Sequence, residues 1–316
     1  MISCTEFIPL YSEFFKYLES IGGEEAVHRY WKHISDNSIG DRTNPNSLRS
    51  FMEKDPSVLG AWKYWSHTLT EEACDLFRFY NPKKDYYYLH MRHCPSRGRL
   101  NAMSHIEPYH DYCGHCDAIY KYVLKEYGVI FEGDYSKVDN AECFEIIYKE
   151  GNRPEGDYTI PDEDCIVMDL KAEENKYLHR DFHLSGDLAL TYCAENYGYD
   201  ALIGFLTAYV KNYYSPVIND IKKRGLIAVK EWIEKVYEIE EASELLTAKL
   251  TADKLLIKVE KSPAIEFMYS LGQKPSKYYQ EETKTLYKAL AEASGLGFTL
   301  KLYDEESGKA EFEFTL

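Results

Sequence analysis

The apolar positions of this chain alternate between two regimes, one of helical period and one of period two. Residues 7–35 carry Phe7, Leu10, Phe14, Phe15, Leu18, Ala26, Val27, Tyr30 and Trp31 at helical spacing. Ile21-Gly22-Gly23 interrupts them, which predicts a helical hairpin. A polar loop over 36–46 precedes two short helices over 48–52 and 59–65. The period then changes: 74–80 and 86–92 alternate as two strands around Asn81-Pro82, and the second ends at Cys94-Pro95. A loop rich in Arg, Ser and Gly follows. Residues 112–127 are again helical and close at Gly128, and 129–135 with 142–149 form a second hairpin.

Residues 151–164 hold Pro154, Gly156 and Pro161 among acidic residues and read as a linker. Beyond it the same grammar returns. Residues 184–197 are helical, Gly198 stands where Gly23 stood, and 201–214 form a second helix ending before Pro216. Ala228, Lys230 and Trp232 answer Ala61, Lys63 and Trp65, and 253–263, closing on Ser262-Pro263, lies on 85–95 without a gap. Residues 279–288 match 112–121, and 308–314 match 140–146. The expected fold is therefore α+β: two tandem copies of a module with N-terminal helices followed by antiparallel β-hairpins separated by a helix. The copies span 1–150 and 183–316, with 151–182 linking them, and 316 residues suffice for two cores. The second copy keeps the scaffold and loses the cysteines. Ser262 replaces Cys94, Gln280 replaces Cys113, Thr283 replaces Cys116, Lys284 replaces Asp117 and Glu311 replaces Cys143. Polar and charged replacements argue that these thiols do more than pack, and that one module is active while the other is structural or takes a different ligand.

A formal net charge of -16 with scattered basic residues excludes the electrostatic footprint of nucleic-acid binding. No apolar run reaches the ~18 residues of a membrane span, and Met1-Ile2-Ser3-Cys4-Thr5-Glu6 lacks the flank of a signal peptide. A cytoplasmic protein is expected, with its eight cysteines reduced. Phosphate-binding glycine loops are absent, so no nucleotide cofactor is expected. Tyrosine runs such as Tyr86-Tyr87-Tyr88 read as amphipathic strand filler at a surface or subunit contact, which leaves room for a homo-oligomer.

The chemistry concentrates in His93-Cys94-Pro95 and in Tyr109 to Asp117, which hold three cysteines, three of the ten histidines and two aspartates. Cys113-Gly-His-Cys116 suits three roles: a metal half-site completed by Cys94 and a histidine or Cys143, a redox pair, or a thiolate nucleophile at the positive end of a helix. Buried reduced thiols beside surface histidines are the plain alternative. Asp117 sits in the first helical turn, as a dipole partner or a proton donor. His93, His110 and His115 are candidate bases or ligands. Arg92, Arg97 and Arg99 bracket Cys94 and offer forked hydrogen bonds to a substrate carboxylate. His179-Arg180-Asp181-Phe182-His183 has the residue types of a ligand or acid–base site, although helix initiation accounts for it more simply.

The Cys-Pro after a strand (Cys94-Pro95), the Tyr-Cys-x-x-Cys-Asp opening a helix (Tyr112 to Asp117) and the Cys-Phe of the last strand (Cys143-Phe144) resemble the L-2-amino-thiazoline-4-carboxylic acid hydrolase-like family. The resemblance covers most of 1–150. The second half resembles the same module, with Ser262-Pro263 and Glu311-Phe312 in place of the cysteine-bearing pairs. It implies hydrolysis of a non-peptide C–N bond in a small ring, as in opening a cyclic amidine to an N-carbamoyl amino acid. The expected catalytic set is Cys94, Cys113, Cys116, Asp117 and His115, with a Cys94 or Cys116 thiolate adding to the amidine carbon, Asp117 or a histidine protonating the departing nitrogen, and Arg97, Arg99, Tyr109 and His110 around a small-molecule substrate without a cofactor. The competing expectation is a binding protein, sensory or redox, holding Zn or Fe or a small ligand. Its metal would sit on Cys94, Cys113, Cys116 and Cys143.

Overall fold

The computed structural model describes all 316 residues and shows an α+β chain of eleven helices whose strands form two antiparallel sheets. The chain divides into two compact units: a first unit of Leu18–His179, and a second that joins Met1–Tyr17 to Arg180–Leu316. This differs from the expected division at 150 and 182, because the opening residues pack with the second half and the expected linker packs with the first.

The first unit takes the end of α1 (Phe7–Ile34), then α2 (Leu48–Lys54) and α3 (Val58–Glu71). Strands β1 (Asp75–Asn81) and β2 (Tyr86–His93), helices α4 (Pro95–Ala102) and α5 (Gly114–Glu126), and strands β3 (Val129–Asp134), β4 (Cys143–Lys149) and β5 (Ile166–Leu170) follow. The helical stretch over 7–34 is two helical segments that meet at Gly23, within the interruption the sequence predicts. Gly23 adopts φ 68 and ψ -179, a backbone open to glycine, and the helix resumes at the next residue. The stretch after Cys94 is helical rather than a loop. Pro95 opens α4, where its missing N–H costs nothing, and the Cys94 sulfur accepts the Arg97 N–H at 3.4 Å. A thiol is not among the usual capping groups, so the helix start was concealed in the sequence.

Alternation along the strands sorts the first sheet into two faces. Leu76, Tyr80, Tyr87, Leu89, Met91, Cys143 and Ile147 join Trp62, Trp65, Val123 and Leu124 in the core beneath the helices. Phe79, Tyr86, Tyr88, Ile146 and Tyr148 form the opposite face, against which Tyr158 and Cys165 pack. The expected linker is thus a strap over that face. Arg153 pairs with Glu132 at 3.0 Å, and β5 adds a fifth strand against β1. Tyr86, Tyr87 and Tyr88 are accordingly all buried, not surface filler.

The second unit comprises α6 (Phe182–Tyr197), α7 (Tyr199–Tyr213), α8 (Ser215–Arg224), α9 (Leu226–Ile239), β6 (Leu246–Leu250), β7 (Lys254–Val259), α10 (Pro263–Ser270), α11 (Glu281–Ser294), β8 (Gly297–Tyr303) and β9 (Ala310–Thr315). Its strand order β8-β9-β7-β6 is that of β3-β4-β2-β1 in the first sheet. Gly198, at φ 93 and ψ 161, separates α6 from α7 as Gly23 kinks α1. Ser262 caps α10 through the Ile265 N–H at 3.4 Å, the same turn that Cys94 makes. As expected, α7 ends before Pro216, at Tyr213, and Pro216 then opens α8. The outer face of this sheet is polar and carries Lys258–Glu311 and Lys301–Glu313 ion pairs across strands. No helix is long and apolar enough to cross a membrane.

Arg78 of β1 is fully buried in the first unit, its guanidinium 4.2 Å from the Trp62 ring and bonded to Tyr87 Oη, Ser66 Oγ and the Met168 sulfur, with no carboxylate partner. Truncation to Ala should leave a cavity and lower stability by about 3 kcal/mol. Arg78→Met fills the space and removes an unpaired buried charge, so it should match or exceed the wild type. Urea unfolding followed by tryptophan fluorescence tests both.

Candidate functional site

The chemistry of the first unit gathers where β2 ends and where β4 and α5 begin. Met91 pairs with Cys143 across the sheet, and the Cys94 N–H bonds to the Ala141 carbonyl at 2.6 Å. Beside them α5 opens at Gly114, with Cys113 as its N-cap residue. Glycine at 114 leaves room for the Asp111 carboxylate, which lies about 2.5 Å from where a Cβ would stand. A cleft of about 770 Å³ opens over this end of α5 and is lined by Arg97, His110, Cys113, Asp117 and Tyr135, among others.

The expected site residues separate into two layers. Arg97, His110, Cys113 and Asp117 face the cleft, whereas Cys94, Cys116, His115, Tyr109 and Arg99 do not line it. Arg99 is two residues from Arg97 on α4 and points elsewhere, stacking on Tyr177 at 3.5 Å. Arg92 is committed to the sheet, bonding Leu76 O and Asp169. His110 meets Glu19 at 2.9 Å, and Asp117 meets Lys121 at 2.6 Å. His93 lies against Gly98, with its ring end where a Cβ at that position would stand. Outside the cleft region, His179 bonds Glu71 at 2.6 Å in the first unit, and His183 bonds Glu240 at 3.0 Å in the second.

All eight cysteines are free thiols. Burial overrides the helix end that was expected to generate a thiolate. It pushes Cys113 up to about 11, an effect opposed by the Arg97 guanidinium and reinforced by Asp111 and Glu145. Burial likewise pushes Cys94 up to about 12 and raises Cys116 and Cys143 further. Each of the four rests as a thiol at neutral pH. His115, lowered to about 4 by burial, is a neutral imidazole. Its Nδ1 bonds the Tyr112 carbonyl, which leaves Nε2 facing the Cys116 sulfur at 3.5 Å.

No three of the Cys94, Cys113, Cys116 and Cys143 sulfurs lie within 4.8 Å of one another. Groups of ligand atoms within 4.8 Å of one another occur elsewhere in the chain and include none of these four residues. The sequence places the thiols on a strand end, a helix start and a strand start, and those backbones keep them apart.

Glu145 escaped the sequence reading. It stands two residues after Cys143 on the same face of β4, opposite Leu89 and Gly133, and is buried with Oε2 lacking a hydrogen-bond partner. Burial first, then the Asp117 charge, pushes its carboxyl up to about 8, so it is protonated at neutral pH. The Arg97 Nε and Tyr135 Oη nearby are also buried without partners. The sequence signal was a glutamate at an inward position of an otherwise apolar strand, a place that packing alone does not fill with a carboxylate. No family model matches this chain, and neither a curated protein nor a solved structure matches it.

The Glu145 shift has a thermodynamic consequence. Between its free value of 4.5 and about 8, the unfolded chain has released a proton that the folded state keeps, so stability falls as pH rises through this window and levels off above it. Glu145→Gln should abolish that slope, making the variant increasingly more stable than wild type towards pH 8. Paired thermal melts from about pH 5 to pH 9 measure it.

Proposed function

We propose that the first unit hydrolyses a C–N bond of a small cyclic amidine carrying a carboxylate, in line with the hydrolase-like family that its cysteine motifs resemble. The observation that carries this reading is the cleft that combines one accessible thiol, Cys113, with an uncommitted guanidinium, Arg97, beside a buried neutral carboxylic acid, Glu145. A volume of about 770 Å³ lies within the roughly 300–1,000 Å³ of small-ligand sites. Arg97 makes only a 3.7 Å contact to the exposed Asp139 and has donors left for a substrate carboxylate.

In the proposed reaction the Cys113 sulfur bonds to the amidine carbon while its proton passes to the amidine nitrogen, so a resting thiolate is unnecessary. The ring C–N bond then breaks as the departing nitrogen takes the Glu145 proton. Water adds to the resulting thioimidate carbon, one of its protons restores Glu145, and the C–S bond breaks to regenerate the thiol and leave a carbonyl. Cys116 and His115 support the cleft from behind. The eight free thiols favour a reducing, cytoplasmic setting for a protein acting on a small molecule. The second unit is then a copy of the module that lost the reacting thiols and kept the scaffold.

Of the cluster thiols, Cys113 should be the first alkylated by iodoacetamide, with a rate still climbing towards pH 11. Cys113→Ser should abolish turnover of 2-aminothiazoline-4-carboxylate while Cys94→Ser retains it. Peptide mapping and product chromatography read the two outcomes, and full turnover by Cys113→Ser would refute the mechanism.

A further inference from the structure

The second unit carries a polar cluster that the proposed hydrolysis does not use. Cys4, just before α1, His183 in the first turn of α6, and Glu240, which ends α9, converge from three separate segments. They are 0%, 4% and 1% exposed, and their ligand atoms all lie within 4.8 Å of one another. We infer that Cys4, His183 and Glu240 form a buried site for a divalent transition-metal ion, with Zn²⁺ the best match.

Donor chemistry selects the ion. One thiolate, one imidazole and one carboxylate are the three ligand types zinc takes in proteins, at about 2.0–2.3 Å, and they would stand roughly 3.3–3.8 Å apart around a tetrahedral ion. From within 4.8 Å the side chains need to close by no more than about 1.5 Å. The charges also balance, since a thiolate and a carboxylate neutralise a divalent cation and leave no net charge in the interior. Hard cations such as Mg²⁺ and Ca²⁺ prefer all-oxygen shells and are disfavoured by the thiol and imidazole.

The surroundings call for a cation. Glu6, Asp187 and Glu282 are buried in this unit along with Glu240 and pair with no Lys or Arg, whereas Glu13 meets Lys16 at 2.6 Å and Glu281 meets Lys284 at 3.7 Å. The Met1 amine is engaged with the Glu282 carbonyl and Tyr287 Oη. An outer layer also holds Glu240 in place. Its Oε1 accepts the Cys4 N–H at 2.6 Å, and its backbone carbonyl accepts from Arg180, which is paired with Glu241 at 3.2 Å. Such contacts orient a ligand before the ion arrives. The thiols of the first unit, richer in sulfur, lack this convergence.

The test uses the full chain, purified under reducing conditions and stripped with a chelator, then titrated with Co²⁺ as a spectroscopic stand-in for Zn²⁺. One equivalent should bind and give tetrahedral d–d bands with thiolate-to-cobalt charge transfer, and Zn²⁺ should displace it and raise the melting temperature. The charge-transfer band should vanish in Cys4→Ser and persist when Cys94, Cys113, Cys116 and Cys143 are all serine. Glu240→Gln, which should weaken binding while keeping the band, serves if Cys4→Ser fails to fold by circular dichroism. Absence of stoichiometric binding, or loss of the band only in the four-serine protein, would overturn the assignment.

Discussion

Each unit of this protein depends on one turn, at which the second strand of a hairpin passes directly into a helix. The strand's last residue must leave the sheet, and the helix must satisfy its first N–H groups without a preceding turn. Proline at the first helical position removes one of those donors, and the side chain before it caps another. In the first unit the cap is the Cys94 sulfur on the Arg97 N–H; in the second it is the Ser262 hydroxyl on the Ile265 N–H. The turn fixes where Arg97 emerges, and Arg97 lines the same cleft as Cys113, where its charge opposes the rise of the thiol's pKa.

Seen this way, the chemistry of the first unit follows from the scaffold's need for polar groups at a crowded strand end. A cap of any suitable type would hold the turn, since serine does so in the second unit. The same position therefore carries a thiol in one unit and a hydroxyl in the other without a change in strand order. Around it the low dielectric acts uniformly on ionisation: it keeps the thiols protonated, the His115 imidazole neutral and the Glu145 carboxyl protonated.

The two sheets also show how burial of the second face shapes a chain. The first sheet has aromatic residues on both faces, so it needs the strap over 150–165 and the added strand β5. The second alternates apolar with charged residues and leaves its outer face to cross-strand ion pairs. What composition suggested was a linker is cover for Phe79, Tyr86 and Tyr88.

Periodicity by itself determined much of the local structure: the α+β class, both hairpins of the first half, α5 and α11, and the helix breaks at glycines 23 and 198. These rest on contacts near in sequence, where side-chain spacing and glycine chemistry decide the outcome. It also singled out the segment from Cys94 to Asp117, because so many reactive side chains in so few residues is a local fact. Only the tertiary structure decided which of them share a cleft. It separated Arg97 from Arg99, set Cys113 in front of Cys116, brought in Glu145 from a strand thirty residues on, and assigned the first seventeen residues to the second unit. Those outcomes turn on which way a side chain points from its helix or strand and on how far burial shifts a proton, and both are set by neighbours distant in the chain.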